Sequence, residues 1–272
     1  MFDSGFGGLT VARAAIDLMP AESFVYVGDA ARYPYGNKPP ADVVRFAHEI
    51  ATSLVEQHGV KMIVVACNTA ASVALDDLRR ALPVPVLGVV EPGARALVRV
   101  THNGRVGVIG TVGTIASGAY DRAVAATGGE VRLTSAACPG LVEFVERGQT
   151  SGPEVRVLVE RLLAPLRDAG VDSLLLGCTH YPYLAGVIGE VMGPEVVLVS
   201  SASETAFAVR DALEAAGLAA FGTRAAHEAG ATRAAHRFLT SGDPDDFTEI
   251  GRRLFGPDLP AAGHWSRVGQ RS

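Results

Sequence analysis

Two cysteines stand in matching positions. Cys67 follows the apolar run Met62-Ile63-Val64-Val65-Ala66 and is followed by Asn68-Thr69; Cys178 follows Leu174-Leu175-Leu176-Gly177 and leads into Thr179-His180. A short apolar run ending in small polar residues reads as a buried strand opening into a turn at its carboxyl end, where α/β sheets bind ligands. A thiol placed there is either a small buried hydrophobe or a group whose thiolate form is favoured by the amino end of the next helix. A lone cysteine favours the first reading. Two in equivalent contexts, each with hydrogen-bonding followers, favour a matched pair of acid/base groups. Cys138 precedes Pro139, lacks those followers, and stays with the structural reading.

Asn68-Thr69 and Thr179-His180 supply side-chain donors and backbone N–H groups suited to an amino-acid carboxylate, or simply cap helices. His180 is the one histidine of seven beside a candidate cysteine, placed to tune it, relay protons, or make a structural hydrogen bond. The loop Asp3-Ser4-Gly5-Phe6-Gly7-Gly8 either brings a carboxylate and a hydroxyl to the same cleft or caps the helix that follows. Gly107, Gly110 and Gly113 have GxxGxxG spacing, which is not the dinucleotide fingerprint, and GxxxxGK[ST], GxSxG and HExxH are all missing. The cysteines and histidines lack metal-ligand spacing.

The elements that must hold these residues alternate. Strands are expected at 24–28, 62–66, 85–90, 106–109, 131–135, 173–176 and 196–199. Helices are expected at 9–19, 41–58, 69–81, 94–100, 115–126, 141–147, 154–169, 183–191 and 202–216. Such alternation means parallel sheets with right-handed crossovers, here in two successive sets, hence two α/β domains. Glu91-Pro92-Gly93 reads as the crossover between them, 217–230 as a linker, 238–240 as a short strand, and 244–255 as a helix capped by Asp243 with Pro244 first. Beyond Gly256 a weakly ordered tail is expected.

At 272 residues, 48% hydrophobic and 19% charged, the chain can bury a sizeable core. A formal charge of -5, with no basic run, excludes a nucleic-acid footprint, so an anionic ligand must find local positive potential such as helix amino ends. No apolar run reaches the roughly 18 residues of a membrane span, and Met1-Phe2-Asp3-Ser4-Gly5 does not resemble a secretory signal. Three cysteines without a CxxC pair do not make a disulfide framework, so a reducing cytoplasm is expected.

Five blocks in order, Asp3-Ser4-Gly5-Phe6-Gly7-Gly8-Leu9-Thr10, Tyr33-Pro34-Tyr35-Gly36, Ala66-Cys67-Asn68-Thr69-Ala70, Val90-Glu91-Pro92-Gly93 and Gly177-Cys178-Thr179-His180-Tyr181-Pro182, resemble the glutamate racemases, within the cofactor-independent aspartate/glutamate racemases. The resemblance implies interconversion of L- and D-glutamate for peptidoglycan synthesis, with no cofactor and no metal, by a cytoplasmic enzyme that forms a homodimer. It also implies two pseudo-symmetric α/β domains with mainly parallel sheets and the active site in the cleft between them. The first domain would comprise residues 1–91 and 205–272 and the second residues 92–204. Carried over by motif, Cys67 and Cys178 are the two bases, acting on D- and L-glutamate respectively, with Asp3 and His180 as their polar helpers. Substrate contacts fall on Asp3, Ser4, Tyr35, Gly36, Asn68, Thr69, Thr114, Thr179 and His180, and Glu146 stands behind the second thiol or on a solvated helix face. Two departures stand out. Only Met1 and Phe2 precede Asp3 where the family has a full apolar strand, so either the start lies too far downstream or the first domain lacks its opening strand, which would leave Asp3 and Ser4 poorly anchored, and Gly140 replaces a bulkier residue after Cys138-Pro139. The rival readings are a racemase of aspartate or another amino acid, and an inactive relative that keeps only the ligand cleft.

Overall fold

The computed structural model describes residues 1–220 and 234–266. Within them the chain builds two sheets. The first contains β1 (Phe2–Asp3), β2 (Val25–Gly28), β3 (Ile63–Val65) and β4 (Val86–Gly88), and is extended by β9 (Arg237–Thr240) and β10 (Gly263–His264) in the order β10-β9-β2-β1-β3-β4. The second contains β5 (Arg105–Gly110), β6 (Arg132–Ala137), β7 (Ser173–Gly177) and β8 (Val197–Ser200) in the order β6-β5-β7-β8. All pairings are parallel. Between strands run α1 (Leu9–Leu18), α2 (Pro40–His58), α3 (Asn68–Ala81), α4 (Val90–Val100), α5 (Val112–Ala116), α6 (Ala119–Ala125), α7 (Leu141–Glu146), α8 (Pro153–Asp168), α9 (Ala185–Met192), α10 (Ser201–Ala215) and α11 (Pro244–Phe255).

Without β9 and β10, the two sheets have the same strand order: second, first, third, fourth. In each, the chain leaves the first strand to one side and later returns on the other, which opens a crevice between the carboxyl ends of the first and third strands. Asp3-Ser4 and Cys67 lie at those ends in the first sheet, and Thr111 and Cys178 in the second. This duplicated switch point is what places the two cysteines in equivalent positions.

The strand ahead of Asp3 is short but fully used. Phe2 pairs with Val27 on one side and Val65 on the other, and Asp3 pairs with Gly28. Phe2 and Asp3 are buried, and the Met1 amino group donates to Val25 O at 2.8 Å. Weak anchoring of Asp3 and Ser4 is therefore not observed: two residues in the middle of a sheet gain hydrogen bonds from both neighbours.

Other expectations are corrected by local physics. The helix expected from Ala94 begins at Val90, so Glu91-Pro92-Gly93, still on the connection from β4 of the first sheet to β5 of the second, is part of the first turn of α4, where a proline's missing N–H would have had no partner in the helix. The helix expected at 115–126 is two, α5 and α6, separated where Gly118 takes a left-handed φ of 64°. The segment after Gly256 is not loose as far as residue 266. His264 pairs with Thr240, Trp265 is buried, and its indole N–H donates to Ser53 Oγ at 3.1 Å. Asp243 caps α11 as its sequence suggests, Oδ1 accepting from the N–H groups of Asp245 and Asp246. Of the linker expected at 217–230, residues 221–230 lie outside the described residues, as do 267–272 of the tail.

The core follows the strands. Leu174, Leu175 and Leu176 of β7 are buried, as a strand covered on both faces requires, and Ala70, Ala74 and Leu78 give α3 one apolar face.

Candidate active site

A cleft lies where the two switch points face each other. Ser4, Cys67, Asn68 and Thr69 line it from the first sheet, Thr111, Cys178, Thr179 and His180 from the second, and Tyr33, Pro34, Tyr35 and Gly36 form one wall. The loops meet closely. A side chain on Gly7 would come within 2.2 Å of Thr179 Oγ1, and one on Gly36 within 2.8 Å of Thr111 Cβ. Gly36 O also accepts from Gly113 N at 2.9 Å, joining this wall to α5.

Cys67 is the N-cap of α3. Its backbone is extended, two residues past the end of β3, and its Sγ accepts from Ala70 N at 3.5 Å while its S–H reaches Ser4 Oγ at 3.7 Å. Burial, and next the negative field of Asp3, push its thiol up to about 12, against the hydrogen bonds from Ala70 and Ser4. This sulfur keeps its proton at neutral pH.

Cys178 is equally buried but has other company. Its Sγ lies 3.8 Å from His180 Nδ1, and His180 Nε2 lies 3.6 Å from Glu146 Oε1. Burial lowers the imidazole pKa, yet Cys178, Glu146 and Asp3 together outweigh it and raise His180 to about 10. His180 is therefore a buried cation at neutral pH, facing Cys178.

Asp3 spans the two halves. Its Oδ1 accepts from Gly5 N at 2.8 Å and its Oδ2 from Thr179 Oγ1 at 3.4 Å. Burial raises its carboxyl pKa, while His180 and the hydrogen bonds from Gly5, Gly8 and Thr179 oppose that rise. It sits behind Ser4 and is not itself among the lining residues.

Among the described residues no lysine or arginine lines the cleft, so an anion there depends on N–H and O–H donors and on the His180 cation. Asn68 is built for that. Its Oδ1 accepts from Tyr120 at 2.6 Å, and its buried Nδ2 has no partner. Thr69 Oγ1 lies 3.0 Å from Thr111 Oγ1 and 3.2 Å from Thr114 Oγ1.

Sequence reasoning placed Thr114 in contact with substrate, but Thr111 lines the cleft and Thr114, fully buried, holds the hydroxyls of Thr69 and Thr111 from behind. Thr111 was recoverable: it follows β5 as Ser4 follows β1. Tyr35 is at the wall, but its hydroxyl is spent on Asp29, which Arg32 and Ser241 also bond. The Tyr35 hydroxyl is therefore not a free donor for a ligand. Glu146 is not on the solvated face of α7; it backs His180. Cys138 and Glu143 also line the cleft, and neither carried a sequence signal for it. Among the described residues no cluster of histidine, cysteine or carboxylate side chains could hold a metal ion.

Known proteins resemble this chain in sequence and fold. The family described as Asp/Glu/hydantoin racemase matches residues 10–235. A glutamate racemase of Parafrankia sp. (strain EAN1pec) is 51% identical, over 96% of this chain and 91% of its own. The structure of glutamate racemase isoform RacE1 from Bacillus anthracis superposes with a TM-score of 0.88 at 40% identity, covering 97% of this chain and 94% of that one. Glutamate racemase from Francisella tularensis in complex with D-glutamate gives 0.87 at 29% identity, covering 97% and 96%.

Proposed function

The chain belongs to the Asp/Glu/hydantoin racemase family, and from that premise we propose that it is a glutamate racemase, inverting the α-carbon of glutamate with Cys67 and Cys178 as the two bases. The observation that carries the reading is the duplicated switch point, which brings two buried thiols with unlike surroundings to one cleft that, among the described residues, has no lysine or arginine in its lining.

The chemistry follows from those surroundings. A single base tends to return the proton to the face it left, whereas two opposed groups invert the centre with little motion of the substrate. From L-glutamate the Cys178 thiolate takes the α-proton and becomes a thiol, the C–H electron pair delocalises into the α-carboxylate, and the Cys67 thiol donates its proton to the other face, leaving a Cys67 thiolate. D-glutamate reverses each transfer. His180 balances charge on Cys178, and a Cys67 held protonated by burial and Asp3 suits the donor of the opposite face. Thr69, Ser4, Thr179 and the backbone N–H groups at the start of α3 stabilise the carboxylate as charge builds on it, and Asn68 holds it in the bound substrate and the transition state alike.

Neither pyridoxal phosphate nor metal enters this scheme. Supply of D-glutamate for peptidoglycan, residence in a reducing cytoplasm, a homodimer, and a division into residues 1–91 with 205–272 and 92–204 belong to the same proposal. The three cysteines are free, and no described helix is long and apolar enough to cross a membrane.

The test is incubation of the purified chain with D-glutamate in D2O with no added cofactor, following optical rotation and α-proton exchange together. Loss of rotation with exchange is expected. Silence toward both glutamate enantiomers, with turnover of aspartate, would move the reading to the rival substrate. Light scattering checks the dimer.

A further inference from the structure

Tyr120, on α6, reaches across to the first sheet's cleft residues. Its hydroxyl lies 2.6 Å from Asn68 Oδ1, and both side chains are buried. Its ring also packs under the other cysteine: a side chain on Gly177, the residue before Cys178, would come within 3.0 Å of Tyr120 Cε2. One aromatic side chain thus touches the residue after Cys67 and the residue before Cys178.

The direction of the hydrogen bond decides what Asn68 shows to the cleft. Burial, and then the field of Cys178, raise the phenol pKa, so the hydroxyl keeps its proton and must donate it. Among the described residues it has no other acceptor than Asn68 Oδ1. Turned over, the amide could donate from Nδ2 to the phenol oxygen, but the phenol proton would then lose its acceptor among the described residues; with Oδ1 engaged instead, the NH2 group is left unpartnered on the cleft side. An unpartnered buried donor in a cleft without lysine or arginine is matched by a ligand carboxylate.

We propose that Tyr120 is a positioning residue: it fixes the Asn68 amide with Nδ2 toward the cleft, so that the amide donates to a substrate carboxylate, and it ties that donor to the turn bearing Cys178. The inference rests on the glutamate reading of the cleft. Because it acts through an interaction made with bound substrate and with the transition state alike, its loss appears mainly in KM.

Tyr120→Phe, Asn68→Ala and the double variant are compared with the unsubstituted chain in full progress curves from both enantiomers, with circular dichroism to confirm folding. Tyr120→Phe should raise KM about tenfold with a smaller change in kcat, and the double variant should be no worse than Asn68→Ala, since the hydroxyl acts only through that amide. Asn68→Asp keeps an acceptor for Tyr120 but replaces the cleft-facing donor with an oxygen, and should bind glutamate more weakly than Asn68→Ala. An unchanged KM in Tyr120→Phe, additive losses in the double variant, or unweakened binding by Asn68→Asp overturns the proposal while wild-type turnover keeps the racemase reading. Absence of glutamate turnover by the unsubstituted chain overturns that reading instead, and this assignment with it.

Discussion

Cys67 and Cys178 follow the third strand of their respective sheets, each beside the first strand's carboxyl end, yet the groups around them differ in kind. Cys67 has a carboxylate behind it, a serine hydroxyl beside it and the backbone N–H of Ala70 above it. Cys178 has an imidazolium backed by Glu146. The repeated topology supplies equivalent positions, and the side chains that follow each strand make the positions chemically unlike. An inversion of one carbon needs both: symmetry to present opposite faces, and asymmetry so that one sulfur starts as base while the other still holds a proton.

The largest effect comes from removing either sulfur. Cys67→Ser and Cys178→Ser should each lower racemisation by a factor of at least about a thousand, near the upper range for loss of a positioned acid or base, without loss of fold. The comparison is sharpened by exchange in D2O: Cys67→Ser should still wash deuterium into L-glutamate only, and Cys178→Ser into D-glutamate only. Exchange with the opposite pattern would interchange the two assignments, and normal turnover in either variant would sink the two-base scheme.

Next come the helpers. His180→Asn should cost about a hundredfold in kcat and Asp3→Asn about tenfold. Racemisation has an equilibrium constant of unity, so kcat/KM must fall equally in both directions, and the asymmetry has to be read from α-deuterium isotope effects. His180→Asn slows transfer at Cys178, so the effect on L-glutamate should grow and that on D-glutamate shrink, with Asp3→Asn giving the reverse. Identical isotope patterns in the two variants would mean the surroundings of the thiols do not divide the labour. Glu146→Gln should cost only about threefold to fivefold, acting through His180, and should move the upper pH limit of kcat downward because the imidazolium loses a supporting charge.

Much of this was legible in the chain because it rests on local patterns. The Met62-to-Thr69 and Leu174-to-His180 runs announce strand, thiol and polar turn within a few residues, and Asp243-Pro244 announces a helix start. What escaped depended on distance. Nothing near Tyr120 in sequence tells that it meets Asn68, and nothing near Thr114 tells that it lies behind Thr69 and Thr111 rather than in the cleft. Pro92 misled because a proline marks a break inside a helix but not in its first turn, and the Trp265 segment because composition cannot report a long-range partner such as Ser53.

The smallest expected effect separates the two sites by stability rather than rate. His180 rises from an ordinary 6.5 to about 10 on folding, so the folded chain holds a proton that the unfolded chain releases between those values. Its stabilisation is complete below about pH 6.5 and is lost as pH rises through 10. Cys67 rises from 9 to about 12, so its contribution is intact below pH 9 and declines only above it. The melting temperature should therefore fall with rising pH in two stages. His180→Asn should flatten the first stage, between pH 7 and 9, while Cys67→Ser leaves that window unchanged and alters only the decline beyond it. Thermal melts at half-unit pH steps decide the matter: a His180→Asn chain that still loses stability as steeply as wild type between pH 7 and 9 would show that the imidazole is not held as a cation, and the chemical contrast between the two cysteines would have to rest on Asp3 alone.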